Sequence, residues 1–114
     1  MLRRLIVWLA VVSVGCGGFK PTEYWLRQIK DGDVVARRDA IRELAGRDPE
    51  RAVPALAEAL QDENHYVRRD AAIALGKFGP AAAASAPALA KARKDKEKSV
   101  RAAAEAALKR IGIT

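Results

Sequence analysis

Val67-Arg68-Arg69-Asp70-Ala71-Ala72-Ile73-Ala74-Leu75-Gly76-Lys77-Phe78-Gly79 is the stretch that decides the fold. Its apolar residues Val67, Ala71, Ala74, Leu75 and Phe78 are spaced i, i+4, i+7, i+8, i+11, which places them on one face of a helix and on no face of a strand. Related segments stand on either side of it. Ala36-Arg37-Arg38-Asp39-Ala40-Ile41-Arg42-Glu43-Leu44 lies 31 residues earlier, and Val100-Arg101-Ala102-Ala103-Ala104-Glu105-Ala106-Ala107-Leu108 lies 33 residues later. Each has an aspartate at the same distance ahead of its first arginine: Asp31 before Arg37, Asp62 before Arg68, Asp95 before Arg101. A second kind of segment interleaves with these, Val53-Pro54-Ala55-Leu56-Ala57 returning as Ala86-Pro87-Ala88-Leu89-Ala90. Fixed-period self-similarity of this kind marks a stack of like units.

Working outward, the pattern predicts two alternating helix types. A helices are expected over Thr22–Lys30, Arg51–Gln61 and Ala86–Lys94, and B helices over Val34–Ala45, His65–Phe78 and Lys98–Ile111. Asp33 and Asn64 fall where a B-helix N-cap is needed, their side-chain oxygens able to accept from orphan N–H groups. Glu97 is the poorer third equivalent. Gly79-Pro80 and Gly112 punctuate helix ends, and Pro54 and Pro87 sit early in their A helices, where a missing N–H costs little. Alanine dominates an apolar fraction of 50%, and there are only two Phe, two Tyr and two Trp. Such residues bury little area each and suit close helix packing better than a sheet. The expected fold is therefore all-α, a short α-solenoid of three helix pairs over residues 22–114.

The pattern D-x-[DNE]-x-x-[VA]-R-x-x-[AD]-A-x-x-x-L is similar to the short HEAT-like repeats of the phycobilin-lyase type, with Val67–Gly79 the nearest copy. The resemblance covers about Thr22 to Ile113. Where the middle copy has Gly76, the outer copies carry Ala45 and Lys109, which implies less close packing there. In such stacks an aspartate of the A–B turn bonds a B-helix arginine, its own or a neighbour's. Asp31, Arg37, Asp62, Arg68, Asp95 and Arg101 are thus expected to form a structural ladder, since a guanidinium can meet a carboxylate with two parallel bonds.

The N-terminus is of another kind. Met1-Leu2-Arg3-Arg4 is a short basic lead and Leu5–Val14 is apolar but for Ser13, the order of a secretory signal. From Leu5 to Phe19 there are 15 residues, short of the roughly 20 that span hydrocarbon as a helix. Ser13-Val14-Gly15-Cys16 resembles the lipobox of bacterial lipoproteins, although leucine is usual at the position of Ser13. That resemblance implies a signal over 1–15, diacylglycerol and palmitate on Cys16, a leash over 16–21, and a cell-envelope location on the outer membrane facing the periplasm.

Site chemistry is sparse. One cysteine excludes an internal disulfide framework, and His65 has no second His or Cys nearby to make a metal site. No acid, base and nucleophile are linked by spacing, so neither catalytic nor metal nor cofactor-binding residues are expected. His65 reads as an exposed residue of the turn, and Tyr24 and Trp25 as a cap on the first repeat. The resemblance implies that B helices line the concave face, where Arg38, Arg42, Arg69, Ile73 and Lys77 become partner-binding candidates. The formal charge is +7 with the signs interleaved. A protein partner is expected. Nucleic acid or another anionic polymer, or a lyase-like part of a larger enzyme, are the alternatives, and an exported address weighs against both nucleic acid and lyase.

Overall fold

A computed structural model of the chain describes residues 18–113. The expected signal at 1–15 and the acylated Cys16 lie outside the described residues. Among the described residues six α-helices and one 3₁₀ segment follow in order: α1 (Thr22–Asp31), α2 (Val34–Leu44), α3 (Pro49–Ala59), α4 (His65–Phe78), the 3₁₀ segment Gly79–Ser85, α5 (Ala86–Ala92) and α6 (Lys98–Ile111). Among the described residues there is no strand. The helices pair as α1 on α2, α3 on α4, and the 3₁₀ segment with α5 on α6, and α4 packs between α2 and α6. That arrangement is the α-solenoid expected from the repeats.

Local chemistry explains the boundaries. Asp33 caps α2 by accepting from the Ala36 amide at 2.8 Å, and Asn64 caps α4 by accepting from Tyr66 and Val67 at 2.9 and 3.2 Å. Glu97 makes no side-chain cap bond to α6. Its longer side chain is a poor match for the cap geometry that Asp and Asn reach directly. Gly79 at φ 61° and Gly112 at φ 98° end α4 and α6 in the left-handed region that lacks a penalty only for glycine.

Two expectations about the A helices need correction. The second begins at Pro49 rather than Arg51, because Asp48 accepts from the Glu50 amide at 3.3 Å and Pro49 presets the first turn. Pro54 therefore lies inside α3, not early in it, and that helix forgoes one backbone bond there. The third A helix is preceded without a break by the 3₁₀ segment, in which Ala82 is bent to φ −97°, ψ 16°. Ser85 is buried there but satisfied, donating to the Ala82 carbonyl at 2.6 Å.

The core runs along the stack. Leu44, Leu56, Leu75 and Leu89 are fully buried on four successive helices, with Val67 and Val100 between the layers. Ala40, Ala71 and Ala104 occupy the same place in the three B helices, each at 0% exposure. The methyl side chain lets the layers approach closely. At the first repeat Trp25 and Leu26 pack partly buried against this core, and Tyr24 meets Trp25 edge-on at 4.9 Å.

Candidate interaction site

The arginines and aspartates of the repeat come together across repeats rather than within them. Arg37 lies against Asp62, with Nη2 donating to Oδ1 at 3.0 Å and Nε 2.8 Å from Oδ2. The Nε–H of Arg37 is poorly aligned on that oxygen, so Nη2 makes the better bond. Arg68 meets Asp95 with both prongs, Nε at 2.8 Å and Nη2 at 3.1 Å. The remaining prong of each guanidinium donates to a carbonyl of its own turn. Arg37 reaches Gly32 at 2.8 Å, Arg68 reaches Asp62 at 2.8 Å, and Arg101 reaches Asp95 at 2.7 Å. Each paired aspartate also accepts from the amide two residues on, Asn64 for Asp62 and Glu97 for Asp95. Burial pushes the Asp95 carboxyl up. The Arg68 hydrogen bond, the Glu97 amide and the charges of Arg68 and Lys96 together outweigh that and hold it below the ordinary carboxylate value. Asp31 and the outward side of Arg101 have no such partner among the described residues.

Between α2 and α4 lies an open cleft of about 240 Å³, lined by Arg38, Ile41, Arg42 and Ala45 from one helix and Asp70, Ile73, Ala74 and Lys77 from the other. One methyl group distinguishes this junction from the next at the point of closest approach. On the other side of α4, a Cβ placed on Gly76 would stand 3.1 Å from the Ala107 Cα and 3.2 Å from its Cβ, so glycine is what allows α6 to close down. The position matching Gly76 is Ala45, the C-cap of α2, and the position matching Ala107 is Ala74 on α4. Both line the cleft, and there the helices stand apart.

Four of the five partner-binding candidates, Arg38, Arg42, Ile73 and Lys77, face this space; Arg69 does not. The Arg69 guanidinium instead lies 5.3 Å from the Tyr66 ring centroid, with Arg38 at the same distance. Asp70 ties the two together, accepting from Arg38 Nε at 2.8 Å and from Arg69 Nη2 at 3.4 Å. The Asp70 hydrogen bond and charge raise the Arg38 pKa above its ordinary value. Arg42 is tied to Asp39 at 2.9 Å but stays exposed. The floor is apolar, Ile73 being 42% exposed.

Tyr66, Ile41, Ala45 and Ala74 were not among the partner-binding candidates read from sequence. A signal existed: 38, 41, 42, 45 and 70, 73, 74, 77 are matching i, i+3, i+4, i+7 stripes on neighbouring helices. His65 is half-buried, contrary to the expected exposure, because its ring packs on Tyr66 at 4.1 Å. No group of three or more potential metal ligands occurs among the described residues.

Stacked helix pairs tied by inter-repeat Arg–Asp bonds define an α-solenoid of short repeats. The family model for HEAT repeats matches residues 22–109, and the chain belongs to that family. No curated protein matches the chain. HEAT repeats generally mediate protein interaction, which fits a scaffold.

Proposed function

We propose that the chain is a non-catalytic interaction scaffold, tethered to the envelope membrane through an acylated Cys16, whose α2–α4 cleft seats an acidic segment of a partner protein. The observation that carries this is the cleft itself, where three cations, Arg38, Arg42 and Lys77, surround an apolar floor of Ile41, Ile73 and Ala74. Its one carboxylate, Asp70, is already engaged by Arg38 and Arg69, which leaves the space electropositive. A strand or helix carrying Glu or Asp beside Leu or Val would satisfy both features: carboxylates steer and orient, and apolar burial holds.

The test is titration with a synthetic peptide of alternating Glu and Leu, followed by amide chemical shifts. Binding should move the Arg42, Ile73 and Lys77 signals. The double reversal Arg42→Glu, Lys77→Glu should abolish it at unchanged helical content, because exposed charges add little to folding. Affinity should persist in part at high salt, since apolar burial is unscreened, whereas an anionic polymer held by phosphate contacts would be lost steeply. Equal binding by wild type and the double reversal would remove the cleft from consideration.

A further inference from the structure

We infer that copies of this chain associate head to tail, the α6 end of one docking on the α2 face of the next, with Arg101 seated on the second copy's Asp31. Within the molecule one rule holds at both junctions: the B-helix arginine pairs with the turn aspartate of the following repeat, Arg37 with Asp62 and Arg68 with Asp95. The rule leaves one donor and one acceptor over. Arg101 is preset like the others, its Nη1 fixed on the Asp95 carbonyl at 2.7 Å, while no described residue brings a carboxylate to its Nε or Nη2. Asp31 is exposed and has no described ion-pair partner.

Repeating the step once more brings further complementary groups together. The Gly76–Ala107 approach between α4 and α6 becomes Lys109 of one copy opposite Glu43 of the next. Both are exposed, and among the described residues Glu43 is held by Arg47 alone, at 3.5 Å. The Arg38–Tyr66 contact becomes Ala102 facing Val35, and Val35 is 68% exposed although aliphatic. The outer face around α6 carries Arg93, Lys98, Arg101 and Lys109 around Ala102 and Ala106, with one carboxylate, Glu105, held by Arg93 at 3.7 Å. The outer side of α2 carries Glu43, and Asp39 paired with Arg42 at 2.9 Å. The lead-in at residues 19–20 leaves Asp31 clear. It is held at the opposite end of α2, where Arg47 lies over Phe19 at 4.9 Å and donates to the Lys20 carbonyl at 3.0 Å. A contact between two different patches is heterologous and extends without closing.

Sedimentation of the full chain in a mild detergent, with the micelle density-matched, tests this by charge exchange. Wild-type weight-average mass should climb with concentration past about twice that of one copy. Arg101→Asp alone and Asp31→Arg alone should each hold the mass at one copy, since each sets like charges together. The double exchange Asp31→Arg, Arg101→Asp in one chain should restore the climb, as should mixing the two single variants. Reversal of the cleft cation carried by α4, Lys77→Glu, should leave Arg101–Asp31 pairing intact while weakening peptide capture, which separates failure here from failure there. A wild type that stays at one copy, a mass that stops at two, or single variants that still assemble would each overturn the proposal.

Discussion

At the residue scale, two adjacent arginines with the same chemistry occupy opposite energetic positions. Arg68 is 8% exposed in its side chain and donates to Asp95, Asp62 and Glu63, whereas Arg69 lies across a half-exposed tyrosine. Arg68→Ala strands the Asp95 carboxylate and should cost about 3 kcal/mol in a denaturant titration. Arg69→Ala, losing one long bond and a cation–π contact, should cost under about 1 kcal/mol. Acid adds a second readout. The folded Asp95 pKa lies below the unfolded value of about 3.9, so its stabilisation is complete above that value and disappears as pH falls through the folded one. Asp95→Asn should therefore lower stability at neutral pH and flatten the acid limb of the pH profile. An unchanged acid limb would mean that other carboxylates govern acid unfolding. The sequence showed which arginine and which aspartate mattered, because their spacing repeats. It left open whether each arginine bonds its own turn or the next. That depends on how far apart the repeats stand, a distance no local pattern encodes.

At the element scale, B-helix ends were readable from Asp33, Asn64 and Gly112, whose side chains or backbone freedom act within one turn. Asp48-Pro49-Glu50 carried an equally clear start signal for α3. The Gly79–Ser85 segment did not announce itself, since a run of alanines is compatible with α and 3₁₀ turns alike and lacks periodic contrast. Gly76 controls the α4–α6 approach, and its nearest neighbour is backbone that cannot rotate away. Gly76→Ala gains about 1 kcal/mol in helix propensity but overpacks a rigid contact, for a net loss of about 1–2 kcal/mol. A thermal melt above wild type would show that α6 can yield. The cleft was legible only in part, since Arg38, Arg42, Ile73 and Lys77 follow from the stripe, but Arg69 turns aside to stack on Tyr66.

At the scale of the whole molecule, the proposed anchor and the stack are separable by experiment. Acylation at Cys16 should appear as a mass increase over the cleaved polypeptide on intact mass measurement of membrane-extracted protein, and Cys16→Ser should leave the uncleaved precursor. A Cys16→Ser protein that matures at residue 16 and stays membrane-bound would refute the tether without touching the repeats. The two joints along the stack also differ in how closely their helices approach. The α4–α6 joint is closed by backbone against side-chain methyl, while the α2–α4 joint is spanned chiefly by the Arg37–Asp62 and Arg38–Asp70 bridges beside an open cleft. Looser packing predicts the softer joint, so a pull transmitted from the N-terminal side should act on the α2–α4 joint first. A segment lodged in the cleft would then act as a splint, converting two hinged pieces into one rod under load.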